Sequence, residues 1–184
     1  MTWVDAIPFL FIIGYGVLGY FTGLIRRLIS LIALYISFVA ATNMGLQAGG
    51  IIQQTSSTST PDARIYGFFG IVFVVMIVLD GAGQLAHSQI QLEAIVFNRV
   101  SGAVVGVLTG LILSVLLVYE LQAAANPIGG SELDGLQLNI RDGVNHSRIA
   151  VPLTRAIERP VIAIFQPVLP ADPQIYFGPN PVNP

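Results

Sequence analysis

Four apolar stretches, each near the roughly 20 residues that carry a helix across a bilayer, dominate this chain and constrain it more than any other feature. They run from about Trp3 to Ile25, Leu28 to Met44, Ile65 to Ala86 and Val100 to Leu121. In lipid every backbone N–H and C=O must be satisfied internally, so helix is the state open to an isolated span. The expected fold is an all-α membrane protein with four transmembrane helices. Composition agrees: 54% of the 184 residues are hydrophobic, 10% are charged, and the mean hydropathy is +0.75. A soluble domain carries about 25% charged residues, and eight basic and ten acidic side chains are too few to coat one of this size.

The net charge of −2 argues against nucleic acid as a partner, since phosphate binding needs a clustered basic face. The absence of cysteine removes disulfides, thiolate metal sites and thiol catalysis. Asp5 stands where a signal peptide would have its basic region, and the apolar run after it is too long for one, so residues 3–25 are read as a span.

The connections differ in character. Only Arg26 and Arg27 separate the first two spans, which predicts a tight hairpin or a helix bent at the interface. The second span is the shortest. Gln47 to Asp62, rich in Gly, Gln, Ser and Thr, reads as a mobile polar loop. His87 to Asn98 mixes polar and apolar residues and suggests a short helix along the surface. Arg26, Arg27 and Arg99 are the orientation anchors. Basic residues in short loops mark the cytoplasmic side, which places both termini outside. Four arginines further down the tail pull the other way.

Beyond the spans, residues 123–146 read as a polar linker. In 147–166, Ile149, Leu153, Ile157, Val161, Ile164 and Phe165 recur every three or four residues, the pattern of an amphipathic interfacial helix. Ser147 is its expected N-cap, and Pro160 should kink or split it. Residues 167–184 contain six prolines and little charge and are expected to be extended. Tyr176 and Phe177 are candidate contacts for a partner subunit, because aromatic side chains carry much interface energy.

The sharpest pattern is Gly102-x-x-x-Gly106-x-x-x-Gly110 in the fourth span. Residues four apart share a helix face, and glycines there let a second backbone approach closely. Gly16, Gly19 and Gly23 in the first span form a second small-residue face. These six are the candidate packing residues.

Two segments resemble the colicin V production protein family. One is Gly19-Tyr20-Phe21-Thr22-Gly23-Leu24-Ile25-Arg26-Arg27-Leu28-Ile29-Ser30-Leu31, similar to that family's first hairpin. The other is Phe97-Asn98-Arg99-Val100-Ser101-Gly102-Ala103-Val104-Val105-Gly106-Val107-Leu108-Thr109-Gly110-Leu111, similar to the entry to its last span. An early Asp5 and a segment like Ser147-Arg148-Ile149-Ala150-Val151-Pro152-Leu153 fit the same order. The chain departs from the family at Arg27, where an acidic residue is common, and at Asn98, where Asp is common. The resemblance implies a multi-pass protein of the bacterial inner membrane, linked to colicin V export or processing and to envelope maintenance, with no catalytic residues to carry across. The alternative reading is an accessory subunit of a larger respiratory or photosynthetic complex.

Asp80 is the one carboxylate well inside an apolar run, Asp5 and Glu120 standing at the ends of theirs, and it is the candidate intramembrane polar site. An interfacial position, a proton- or cation-linked role and helix pairing all fit it. Glu120 and Tyr119 close the fourth span and read as its headgroup boundary. His87 and His146 are candidate pigment or haem ligands only within a larger complex, and otherwise no cofactor or metal is expected. No nucleophile with its base, paired carboxylates or phosphate loop stands out, so an enzyme is not expected. The expected partners are the bilayer and other membrane subunits or further copies of the chain.

Overall fold

The computed structural model describes residues 1–87, 95–129 and 135–178, and among these the regular elements are all helical. Four long helices come first: α1 (Trp3–Thr22), α2 (Leu24–Thr55), α3 (Thr60–His87) and α4 (Ile95–Ala125). Each contains a segment long and apolar enough to cross a membrane. Three shorter helices follow, α5 (Gly135–Asn145), α6 (Ala150–Phe165) and the single turn α7 (Pro173–Tyr176). The protein is thus an all-α membrane protein.

Chain direction reverses at one residue. Gly23 adopts φ +81°, a region L side chains avoid, and a Cβ there would overlap the Asn98 side chain. The Leu24 N–H donates to Asn98 Oδ1 (2.8 Å), so a side chain at the start of α4 caps α2. Arg26 and Arg27 lie inside the first turn of α2 rather than in a loop.

The helices pair as α1 with α4 and α2 with α3, both antiparallel. Along the first seam Gly19 meets Gly102, Tyr15 meets Gly106 and Phe11 meets Gly110. Along the second Ile29 meets Gly83 and Gly49 meets Ala63. Leu34, Phe38, Phe68, Val72, Leu113 and Leu116 fill the centre, all fully buried. Leu10, Ile13, Phe21, Ile32, Val74 and Ile77 point outward, as side chains facing lipid do.

Several boundaries differ from the sequence reading. The second span, expected to be shortest, is the longest helix among the described residues, at 32, and absorbs most of the polar loop. Gly45 and Gly49 let α3 lie against it, so packing carries the helix past Met44 despite its polar composition. The linker expected over 123–146 contains α5, whose Ile140 and Val144 are buried, with Leu136 packed against the core. Pro160 sits exposed in α6 without splitting it, because Val161 and Phe165 hold the next turn in the core. The tail is not extended as far as it is described: it folds back, and Val168, Leu169, Tyr176 and Phe177 are buried. The surface helix expected between His87 and Asn98 falls mainly outside the described residues.

Candidate functional site

The six candidate packing glycines line the α1–α4 contact. A Cβ on Gly19 would overlap the Gly102 carbonyl, one on Gly106 the Tyr15 carbonyl, and one on Gly110 the Phe11 carbonyl. A Cβ on Gly16 would stand 2.9 Å from Val107 Cγ2, whereas Gly23 faces Asn98 at the turn. The other seam has its own glycines. A Cβ on Gly49 would reach 2.9 Å from the Ala63 carbonyl oxygen, and one on Gly67 would overlap Gly45 and Gly49.

Toward the Gly23 end, the α2–α3 seam turns polar. Ser30 Oγ donates to Asp80 Oδ1 (2.5 Å), tying α3 to α2. Asp80 lies seven residues before His87, the last residue of α3, and is engaged in pairing with α2. One turn back on α2, Arg27 is 1% exposed. Its Nε donates to Thr22 Oγ1 (3.1 Å), its guanidinium carbon stands 5.3 Å from the Tyr15 ring centroid, and it attracts Asp80 electrostatically. Its Nη1 has no hydrogen-bond partner among the described residues. Tyr15 contacts Met76 Sδ through its hydroxyl (3.7 Å). Beside the cluster a cavity of about 190 Å³ opens between α1 and α3, lined by Phe11, Tyr15, Phe73, Met76, Ile77 and Asp80. The arrangement clamps two helices and presents a carboxyl group to a largely apolar cavity.

Arg27, read as an orientation anchor with Arg26 and Arg99, therefore lies buried between helices. Arg99 sits with its guanidinium carbon 5.9 Å from the Tyr20 ring, and Arg26 is half-buried with its Nε unpartnered among the described residues. Thr22, Ser30 and Tyr15 were not singled out in the sequence. The available signal is Asp80 deep in its apolar run; Ser30 shares its span with Ser37, Thr42 and Asn43 and does not stand out.

At the opposite end of the bundle, Asp5 caps a helix that begins 145 residues later. It is 1% exposed and its Oδ1 accepts from Ser147 Oγ (2.6 Å), Ile149 N (3.0 Å) and Ala150 N (3.2 Å). Ser147 in turn accepts from Val151 N (3.1 Å), so the expected N-cap works jointly with Asp5. Two orphan N–H groups at the start of α6 are thereby satisfied by a charged acceptor and a third, that of Val151, by the Ser147 hydroxyl, a strong arrangement. Thr2 adds a hydrogen bond to the Gly143 carbonyl (2.8 Å), fixing α5 to the same end.

Glu120, read as a headgroup marker, is 0% exposed, and neither carboxyl oxygen has a hydrogen-bond partner among the described residues. Tyr176 and Phe177, offered as partner contacts, turn into the chain's own core. Tyr176 donates to the Ala41 carbonyl (3.2 Å), and Phe177 stacks on Phe69 at 6.3 Å. Burial, reinforced by Glu120 nearby, pushes the Tyr176 hydroxyl well above the usual tyrosine range, with Arg64 partly offsetting it. His146 is exposed, its Nδ1 3.0 Å from both the Asp142 carbonyl and carboxylate. The His87 side chain lies outside the described residues. Among the described residues no three His, Cys, Asp or Glu side chains converge as a metal site.

Glycine-faced apolar helices, a partly buried polar cluster and an apolar exterior define a multi-pass α-helical membrane protein. A family model described as colicin V production protein matches residues 4–156. The chain belongs to the colicin V production protein family. No curated protein and no solved structure matches it.

Proposed function

We propose that this chain is a non-enzymatic protein of the bacterial inner membrane, with both termini outside, that serves export or envelope maintenance. The observation that carries the reading is the Arg27–Ser30–Asp80 cluster beside a cavity inside a bundle of this family. Ionisable side chains within spans are expensive and are retained for work done in the membrane. The arrangement suits a role inside the bilayer, as a pore or a transport accessory, rather than chemistry at either surface. Deletion of the gene in its native bacterium should raise uptake of a hydrophobic fluorescent dye or impair peptide export. The wild-type gene should restore the parental level, and Asp80→Asn should restore it only in part. A deletion strain indistinguishable from its parent in both assays would end this reading. Reporter fusions at each terminus test the orientation; a cytoplasmic C-terminus would reverse it.

The second reading, an accessory subunit of a larger membrane complex or of a homo-oligomer, is supported by Gly14 and Gly70. Both have open space where a Cβ would stand, leaving room for a partner helix. Purification in mild detergent followed by mass spectrometry separates the readings, since only this one requires stoichiometric partners or copies.

A further inference from the structure

Residues 166–178 run back over the bundle end and lie beyond the family match, which stops at residue 156. Four ties hold this strap. Thr42 Oγ1 donates to the Val168 carbonyl (2.6 Å), Ile128 N to the Gln174 carbonyl (3.2 Å), Tyr176 Oη to the Ala41 carbonyl (3.2 Å), and Arg64 to the Gly178 carbonyl. Its turn α7 is capped from within, since the exposed Asp172 accepts from Gln174 N (3.1 Å) and Ile175 N (3.2 Å). This cap is made only while α7 is folded, so an opening of the strap that unravels α7 gives it up.

Glu120, near enough to Tyr176 of the strap to act on it electrostatically, is sealed from solvent with both carboxyl oxygens unpartnered among the described residues. A buried polar group without hydrogen bonds destabilises the state that buries it. A cavity of about 450 Å³ is lined by Tyr119 and Ala123 of α4, Glu158 of α6, and Asp172, Pro173 and Gln174 of the strap. Ala123 lies one turn from Glu120, and the strap forms one wall of that cavity.

We infer that residues 166–178 are a lid whose opening admits water to the Glu120 carboxyl, and that the unpartnered carboxyl itself weakens the closed state. The lid belongs to this chain's C-terminal extension, and the inference does not depend on the proposed export role.

The test uses the full-length protein in lipid nanodiscs, labelled with a water-soluble carbodiimide and an amine and read by mass spectrometry. Exposed Asp142 should label quickly, buried Asp5 should stay unlabelled, and Glu120 should label slowly. Asp172→Ala removes only the exposed cap and should speed Glu120 labelling about fivefold, the factor expected from loss of one N-cap. Glu120→Leu removes the cost of a buried unpartnered polar group and should slow hydrogen exchange at the Tyr176, Phe177 and Gly178 amides about tenfold by favouring the closed state. Glu120 remaining unlabelled in both proteins, labelling at an unchanged rate in Asp172→Ala, or labelling only together with Asp5 overturns the lid. Unchanged exchange in Glu120→Leu overturns the coupling to the carboxyl.

Discussion

The α1–α4 and α2–α3 seams are both lined by glycine, yet they hold together differently. In the first, backbone meets backbone along three turns, with carbonyls of α1 seated where side chains of α4 would be. In the second, glycines join the ends near the α2–α3 turn, and a Ser30–Asp80 hydrogen bond joins the other end. Close backbone contact gains dispersion at every turn and tolerates no added volume. A polar clamp concentrates its gain in one pair and tolerates small changes of shape. One seam is fixed by space, the other partly by chemistry.

Substitutions that add volume or remove the clamp test this contrast. Gly106→Val should have the largest effect, destabilising the bundle by about 3 kcal/mol or more, because the new side chain overlaps backbone that cannot move aside. Loss of the monodisperse peak in detergent gel filtration would show it. Gly67→Ala, the counterpart on α3, should cost about 2 kcal/mol, visible as a lower unfolding midpoint. Asp80→Asn keeps the shape and an acceptor for Ser30, and should cost about 1 kcal/mol by the same measurement. Gly14→Ala meets open space and should raise the midpoint slightly, by at most about 1 kcal/mol. If Gly106→Val proved milder than Asp80→Asn, the distinction between the seams would collapse.

The contrast also explains what could be read in the chain. The four spans were legible because apolar length is a strong local signal, and the Gly102, Gly106 and Gly110 repeat stands out within one. Gly45 and Gly49 have the same spacing but sit among Asn43, Gln47 and Gln53, so composition pointed to a loop where tertiary packing extends a helix. Arg27 was assigned to a loop because the break at Gly23 has no hydrophobicity signal. Its place against Tyr15 and near Asp80 depends on which helices pair, and that is a long-range fact. Tyr176 and Phe177 were visible as aromatic residues amid prolines, but their burial on Phe68 and Phe69 needed the fold.

The capping of α6 by Asp5 has a consequence for how the protein is made. Asp5 is synthesised ahead of its partners Ser147, Ile149 and Ala150, which come some 145 residues later. At roughly 5–20 residues per second, the carboxylate waits about 7 to 30 s for its donors. During that interval the start of α1 must rest on water or lipid headgroups, and α5 and α6 can lock the bundle end only after all four spans have been inserted. The order of translation thus places the tie between α1 and α6 after insertion of all four spans.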